Sequence, residues 1–293
     1  MNATVDTEPQ QRLIALPTRG GAMAALDFGP PDRPVDIVFS HANGFNGRTY
    51  RTILQSLAGR LRILALDLRG HGASTLPTVI EGRQGWLEFR DDLLALLAAA
   101  CEAPVVLAGH SMGGTSSLLA TAAEPERVRA LALFDPVVMP LEMQRNPRAV
   151  AESPLAPAAL RRRATFPSRQ AALDAYLGRG GFRTWSADQV ADYVAAGFRE
   201  TASGEVTLTC APEWEASNFR THNYDAWAAF RDSRCPISIL RAEDGSTFRV
   251  EGHEAELIRD GRIAVETVPG TSHFLPMERP ERVRATLKAS AAL

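Results

Sequence analysis

The sequence predicts an α/β protein built on a doubly wound, mainly parallel sheet. Three observations lead to this fold class. Short apolar runs alternate with helix-length segments over most of the 293 residues. Several of these runs end directly in glycine-rich turns that carry polar residues, as at the carboxyl ends of parallel strands. Hydrophobic residues at 45% and charged residues at 23% are typical of a globular domain, so we expect one core with an insertion.

Short apolar runs, often rich in β-branched residues, are the predicted strands. In chain order they are residues 12–16, 22–28, 35–39, 62–66, 105–108, 130–134, 236–240 and 263–268. The run at 105–108 is continuously apolar and short, which favours a parallel strand buried on both faces.

Helix-length segments separate these strands. They are residues 50–57, 86–100 and 116–123 and a last helix that begins at Glu278. Pro125 ends the third, and acidic residues in the first turn favour the start of the last. Helices between parallel strands pack on both faces of a sheet, which is the doubly wound arrangement.

The alternation stops between Met139 and Asp232. Residues 139–232 are therefore predicted to form a helical cap inserted after the sixth strand, with residues 1–138 and 233–293 as the two parts of the core. Helical stretches are expected near 157–163, 168–177 and 187–198, and the cap holds three of the four tryptophans, Trp185, Trp214 and Trp227. These rings can close an apolar pocket, although for each of them a place in a small cap core has more weight.

A glycine-flanked serine stands between a predicted strand and helix, in the sequence Gly109-His-Ser111-Met-Gly113. Such a strand-to-helix turn holds the serine backbone under strain and needs small neighbours, and it exposes the hydroxyl. The N–H of Met112 begins the helix without an intrahelical partner and can bind an oxyanion. Ser111 is thus the predicted nucleophile, in preference to an ordinary glycine-serine turn.

His273 is the predicted base. It follows the strand at 263–268 in the loop Gly270-Thr-Ser-His273, where a neutral imidazole can take the Ser111 proton and return it to a leaving group. The other histidines have a different interpretation. His41, His71 and His110 lie in glycine-rich loops and are expected to pack with hydrogen bonds, and His222 and His253 are expected at the surface or in the lid.

Four motifs, in the same order, resemble those of the α/β-hydrolase fold family, in its branch of lidded esterases, C–C hydrolases and haloalkane dehalogenases. They lie at residues 38–45, 64–72, 109–114 and 270–280 and span nearly the whole chain. The resemblance implies an eight-stranded sheet with a cap after strand 6. A serine nucleophile argues against dehalogenation through an alkyl-aspartate. By position, the backbone N–H of Asn43 is the second oxyanion donor, with Phe45 as the alternative.

The acid that orients His273 has two candidates. Asp135 directly follows the sixth strand and precedes Pro136, which resembles the placement in one branch of the family. Asp244 follows the seventh strand but lies one residue short of the usual Gly-x-x-Asp position, which Gly245 occupies. We favour Asp135, keep Asp244 as the alternative, and place Glu243 third.

These residues predict a serine hydrolase that cleaves a small or medium carboxylic ester through a Ser-His-Asp triad and an acyl-enzyme. The substrate is expected to be a small molecule with an apolar part. A C–C bond hydrolase, a lactonase or an amidase with the same triad stays open. So does an alternative of another class, a non-catalytic ligand receptor on a hydrolase scaffold.

Composition excludes several other classes. The formal charge of −2 is not the strongly positive charge that is typical of nucleic-acid-binding proteins. Three cysteines without a C-x-x-C pair disfavour a disulfide framework and a zinc site, and no cofactor or metal is expected. The apolar stretch 93–109 is interrupted by Glu102 and Pro104, so no membrane span is predicted. The polar residues 1–10 lack the regions of a signal peptide. We therefore expect a cytoplasmic monomer or homodimer.

A run of three arginines, Arg161 to Arg163, has two interpretations. An arginine guanidinium can donate two parallel hydrogen bonds to a carboxylate, which is a reason to consider an anionic substrate. A solvated helix face is the favoured interpretation.

Overall fold

The structure, a computed structural model, describes residues 8–144, 153–221 and 223–293. The strands among these residues are β1 (Gln10–Leu16), β2 (Gly21–Phe28), β3 (Ile37–Ser40), β4 (Ile63–Asp67), β5 (Val105–His110), β6 (Val128–Phe134), β7 (Thr165–Phe166), β8 (Phe198–Glu200), β9 (Val206–Leu208), β10 (Ile237–Ala242) and β11 (Ile263–Val268). Eight of them form the central sheet, in the order β1-β2-β4-β3-β5-β6-β10-β11. Strand β2 pairs antiparallel with β1 and β4, and the pairs from β4 to β11 are parallel. The predicted eight-stranded, mainly parallel sheet is confirmed.

The α-helices of the described residues are α1 (Arg51–Leu54), α2 (Leu87–Ala100), α3 (Met112–Ala123), α4 (Leu141–Gln144), α5 (Leu155–Leu160), α6 (Arg169–Tyr176), α7 (Ala187–Gly197), α8 (Pro212–Arg220), α9 (Ala226–Asp232), α10 (Glu254–Leu257), α11 (Leu275–Glu278) and α12 (Pro280–Ala291). Two apolar clusters show that helices cover both faces of the sheet. Leu66 of β4 packs in one cluster with Leu93 of α2, and its neighbour Ala65 packs in the other with Leu287 of α12. Successive strand residues point to opposite faces, so both faces of β4 are buried.

Three predicted helices differ from the observed ones. The helix predicted at 116–123 begins earlier, at Met112. The segment at 50–57 contains one α-helical turn, α1, between two 3-10 turns. The last helix begins at Pro280 and not at Glu278, because Arg279 has φ −134° and ψ 60°. A residue that precedes proline is disfavoured in the α conformation, so α11 and α12 are separate helices.

The segment between β6 and β10 contains α4 to α9 and a small antiparallel sheet in the order β7-β9-β8. Helices α5, α6 and α7 match the three predicted stretches. The small sheet was not predicted, because strands of two or three residues are too short to show an alternating pattern. Helix α9 buries Phe230 in the cluster that contains Leu118 of α3. We propose a cap that ends before α9, and the predicted limits at 139 and 232 stay predictions.

Two sequence predictions concern residues outside the described part of the chain. The polar segment is described only from residue 8 onward, and His222 is not described. Among the described residues, the helices are too short or too polar to cross a bilayer.

Candidate active site

Ser111 lies between β5 and α3 in a strained turn. Its φ is +54° and its ψ is −123°, a backbone conformation that residues other than glycine rarely adopt. The backbone packs closely around it, since a Cβ atom on Gly109 would lie 2.5 Å from the carbonyl carbon of Gly113. Only glycine lets β5 and α3 approach this closely, which holds the serine at the carboxyl end of the sheet.

Replacing Gly113 by alanine is expected to destabilise the fold. The added Cβ would overlap the carbonyl oxygen of Ser40 and lie 2.5 Å from that of His41, and both are backbone atoms that cannot move aside freely. Overpacking of this kind costs about 1–3 kcal/mol, to be measured by urea unfolding. Gly59→Ala is the matched control, because a Cβ there meets nothing within 4 Å. Equal stability of the two variants would contradict the close packing at the turn.

His273 connects Ser111 with Asp135. The Nε2 atom of His273 lies 3.0 Å from Ser111 Oγ, and its Nδ1 lies 2.6 Å from Asp135 Oδ2. When Nδ1–H donates to the carboxylate, the Nε2 lone pair faces the serine hydroxyl. The arrangement can therefore move a proton from the hydroxyl to the imidazole, with the carboxylate stabilising the imidazolium that forms.

Asp135 is fully buried and well satisfied. Its carboxylate accepts hydrogen bonds from the N–H groups of Ala242 and Thr247, each at 3.0 Å, and from the Ser246 hydroxyl at 2.5 Å. Burial alone would raise the pKa of this carboxyl. The bonds to His273, Ser246 and Ala242 outweigh burial, so the pKa of Asp135 lies below its ordinary value. The group is thus ionised at neutral pH.

The other two acids lie elsewhere. Asp244 is exposed, and its backbone N–H donates to the carbonyl of Thr271 at 3.0 Å. Glu243 is also exposed, and its carboxylate accepts the N–H of Gly270 at 2.8 Å. The structure therefore brings Asp135, and neither Asp244 nor Glu243, to the Nδ1 atom of His273.

The two predicted oxyanion donors lie in the wall of the cavity that contains Ser111. Met112 begins α3, and both Met112 and Asn43 line the cavity at the serine. The alternative donor, Phe45, uses its N–H in a turn, where it donates to the carbonyl of Ala42 at 3.0 Å. Geometry therefore favours Asn43 over Phe45 as the partner of Met112.

The side chain of Asn43 ties its loop to α8. Its amide nitrogen donates to the carbonyl of Glu215 at 3.0 Å, and its oxygen accepts from the Asn218 amide at 2.8 Å. With both ends of the amide engaged, the Asn43 side chain holds the loop in position, and Asn43 lines the same cavity as Ser111.

The three histidines expected to pack do so with hydrogen bonds. His41 accepts the N–H of Leu68 at 2.9 Å, and His71 accepts the N–H of Gly44 at 3.0 Å. His110 bonds the carbonyl of His273 at 2.7 Å through Nε2 and the Tyr50 hydroxyl at 2.8 Å through Nδ1. A ring that donates through one nitrogen and accepts through the other is neutral.

Stability is expected to fall as the pH decreases from about 6.5 to about 4. Burial lowers the pKa of His71 to about 4, that of His110 to about 3, and that of His41 well below its ordinary value. The unfolded chain then binds protons that the folded chain does not, which costs roughly 2 kcal/mol for each of His71 and His110 at pH 5, and His41 acts in the same direction. Burial raises the pKa of Asp67 to about 6, which offsets roughly 1 kcal/mol over the same range. Urea unfolding at pH 7.5 and pH 5 measures the sum, and unchanged stability would contradict the neutral histidines.

A cavity of about 490 Å³ opens beside Ser111 and His273. Its apolar wall includes Phe45, Trp86, Met112, Val137, Phe219 and Phe274. Polar groups concentrate near the serine, and Arg249 contributes a cationic side chain. A cavity of this size and lining fits a small organic substrate with an apolar part.

None of the three cap tryptophans lines the cavity at Ser111, which agrees with the favoured interpretation that each packs in an apolar core. The indole of Trp214 donates to the carbonyl of Arg69 at 3.0 Å, and that of Trp227 donates to the carbonyl of Met139 at 2.9 Å. Trp185 packs edge-on against Phe45, with 5.2 Å between ring centroids. Trp214 and Trp185 are buried in the two large apolar clusters that include the central sheet, and Trp227 packs against the first of these clusters.

The interpretation of the arginine run as a solvated face is wrong for Arg162. Its guanidinium lies 2.5 Å from the Glu215 carboxylate and donates to the Tyr193 hydroxyl at 2.6 Å. Glu215 lies in the wall of the cavity, and the negative charge of its carboxylate is compensated by Arg162. Sequence periodicity could not reveal this pair, because its members are 53 residues apart.

Sequence reasoning missed Ser246 and Thr247, which hold Asp135, and Trp86, which lines the cavity. The available signal was the position of Ser246 and Thr247 directly after the Gly245 turn, at the carboxyl end of β10. No group of three or more metal-ligating side chains occurs within the part of the chain that the structure describes.

A sequence model of the alpha/beta hydrolase family matches residues 37–286. The chain belongs to the alpha/beta hydrolase family. The resemblance predicted from the four motifs is thereby confirmed, and the hydrogen-bonded serine, histidine and aspartate lie at the carboxyl end of the sheet of this hydrolase.

Several known hydrolases are similar to this one. The 2-(acetamidomethylene)succinate hydrolase of Mesorhizobium japonicum is 27% identical over 261 residues, which are 86% of this chain and 85% of the relative. An esterase of Mycobacterium tuberculosis is 30% identical over 53% of this chain and 50% of its own length. A crystal structure of E-2-(acetamidomethylene)succinate hydrolase superposes with a TM-score of 0.77 at 23% identity, covering 96% of this chain and 97% of the other. An alpha/beta hydrolase from Novosphingobium aromaticivorans superposes with a TM-score of 0.75 at 22% identity, covering 98% and 99%.

Proposed function

We propose that this alpha/beta hydrolase cleaves a small or medium carboxylic ester by serine catalysis. One observation carries the proposal. Ser111, His273 and Asp135 form a continuous hydrogen-bonded series, with 3.0 Å between serine and imidazole and 2.6 Å between imidazole and carboxylate, at the wall of an apolar cavity.

In the proposed mechanism, Ser111 Oγ attacks the ester carbonyl while His273 takes its proton. The N–H groups of Met112 and Asn43 stabilise the oxyanion of the tetrahedral intermediate. His273 then returns the proton to the departing alcohol, which leaves an acyl-enzyme on Ser111. Water resolves the acyl-enzyme by the same steps, and Asp135 stabilises the imidazolium in both halves of the reaction.

Labelling with a fluorophosphonate probe, followed by peptide mapping, tests this proposal directly. We expect the label on Ser111, together with hydrolysis of p-nitrophenyl esters whose acyl length reports the size of the cavity. Labelling on another residue would contradict the serine assignment. The absence of both labelling and turnover would favour a ligand receptor on the same scaffold.

A second candidate is hydrolysis of an amide or C–C bond by the same three residues. The relative from Mesorhizobium japonicum, of which the match covers 85%, is named for 2-(acetamidomethylene)succinate and not for a simple ester. Incubation with 2-(acetamidomethylene)succinate, followed by chromatography, tests this candidate. Consumption by the wild type and not by Ser111→Ala would favour it over the ester.

A further inference from the structure

The catalytic cavity carries one uncompensated cationic side chain among the described residues, that of Arg249. The other charged side chain of its wall, Glu215, is paired with Arg162 at 2.5 Å. The neighbouring arginines Arg241 and Arg262 are paired with Glu254 and Asp260. Arg249 takes part in no ion pair or side-chain hydrogen bond within residues 8–144, 153–221 and 223–293. An uncompensated cation in the cavity wall favours a ligand with a negative charge.

The backbone on both sides of Arg249 is anchored. Its N–H donates to the carbonyl of Val138 at 3.0 Å, and the N–H of Val138 donates to the carbonyl of Thr247 at 2.9 Å. Phe248 and Val250, the residues on either side, are buried in the core. The base of the Arg249 side chain is therefore held in place, and only its long stem is free to adjust to a ligand.

The same loop also serves the proposed triad. Thr247 binds the Asp135 carboxylate, and Arg249 lies two residues further along the chain. Ser111, Thr247 and Arg249 line one cavity, so the guanidinium and the reacting groups share the same binding space. A substrate held at Ser111 can thus carry a second functional group that reaches Arg249.

We propose that Arg249 binds a carboxylate at the far end of the substrate, so that the preferred esters are half esters of dicarboxylic acids. The guanidinium presents parallel N–H donors that match the two carboxylate oxygens. The apolar wall between Ser111 and Arg249 accommodates the methylene chain that separates the two groups. The inference rests on the proposed ester hydrolysis at Ser111 and adds the class of substrate.

The test compares a half ester with a neutral partner of the same shape. Monomethyl adipate carries the carboxylate, and methyl adipamate replaces it by a carboxamide. We expect the wild type to have at least about a 10-fold higher kcat/KM for the half ester, as for hydrogen bonds to charged groups. Half esters from glutarate to suberate, measured in a pH-stat, find the chain length that spans the two groups.

Arg249→Met removes the charge and keeps most of the stem. We expect it to lower kcat/KM for monomethyl adipate by about 10- to 100-fold, mainly through KM. The kcat/KM for methyl adipamate should change by less than about 2-fold. Arg249→Lys, which keeps the charge and loses the fork, should lie between the two. Arg199→Met, at an exposed arginine of β8 outside the cavity, is the control and should resemble the wild type. Equal turnover of the two esters by the wild type, or an equal loss for both in Arg249→Met, would overturn the inference.

A binding measurement separates this inference from the proposed function. Adipate is titrated into wild-type protein and into Arg249→Met by isothermal calorimetry, which needs no turnover. Weaker binding to the variant, with a difference that decreases as salt rises, supports the carboxylate site even if no ester is hydrolysed. Equal binding to both proteins overturns the site, and hydrolysis of neutral esters would in that case leave the proposed function intact.

Discussion

Ser111→Ala is expected to lower kcat/KM for p-nitrophenyl esters by about 10⁴-fold or more. The variant lacks the nucleophile, so no acyl-enzyme forms, and only ester binding and the oxyanion donors remain to assist water. Its folding should be little changed, because alanine removes one oxygen from a side chain at the cavity wall. Ester hydrolysis in a spectrophotometric assay and urea unfolding measure the two quantities separately.

Ser56→Ala is the matched control for this experiment. Ser56 is exposed and is not among the residues that line the cavity, and its Oγ donates a long hydrogen bond of 3.4 Å to the carbonyl of Ile53. The control should retain activity within about 2-fold, as surface substitutions usually do. Retained ester hydrolysis in Ser111→Ala at the wild-type rate would remove Ser111 from the mechanism.

Asp135→Asn is expected to lower kcat by about 10⁴-fold, whereas Asp244→Asn should change it less than about 2-fold. An asparagine at 135 cannot stabilise the imidazolium of His273, and it favours the wrong tautomer of the ring. Its amide would also face a backbone donor, that of Ala242 or Thr247, where the carboxylate now accepts a hydrogen bond. Some loss of stability is therefore expected as well.

The kinetic and structural effects of this change can be told apart. Steady-state kinetics in urea-free buffer give kcat for protein shown by circular dichroism to be folded, and unfolding curves give stability. Asp244 is exposed, so its replacement is the control for loss of one negative charge near β10. A large loss in Asp244→Asn with a small one in Asp135→Asn would reverse the assignment, and equal small losses would direct attention to Glu243.

Local sequence patterns were sufficient for the framework of the site. Gly109 marks a tight strand-to-helix turn locally, because a Cβ there would meet the backbone of Gly113, four residues further along the chain. Apolar runs of four to eight residues marked the strands of the central sheet, and the polar residues that follow them meet at its carboxyl edge. For this reason Ser111 and His273, 162 residues apart, could be placed together before any contact was known.

The choice between Asp135 and Asp244 needed the tertiary structure. Both aspartates end a predicted strand, and the sequence does not specify which strand end faces the imidazole. The parallel pairing of β6 with β10 brings Ala242, Ser246 and Thr247 onto Asp135 as donors and leaves Asp244 in the solvent. Burial disfavours the ionised carboxylate of Asp135, and hydrogen bonds favour it. The donors of these hydrogen bonds are residues that are distant in the chain.

The same difference between local sequence patterns and contacts of distant residues applies to other parts of the molecule. The strands, the turn at Ser111 and the order of the motifs could be predicted from the sequence, because they depend on the covalent neighbours of each residue. The pairing of Arg162 with Glu215 and the position of Arg249 at the cavity became known from the tertiary structure alone. Each of these depends on packing between residues far apart in sequence, and local propensity carries no information about such contacts.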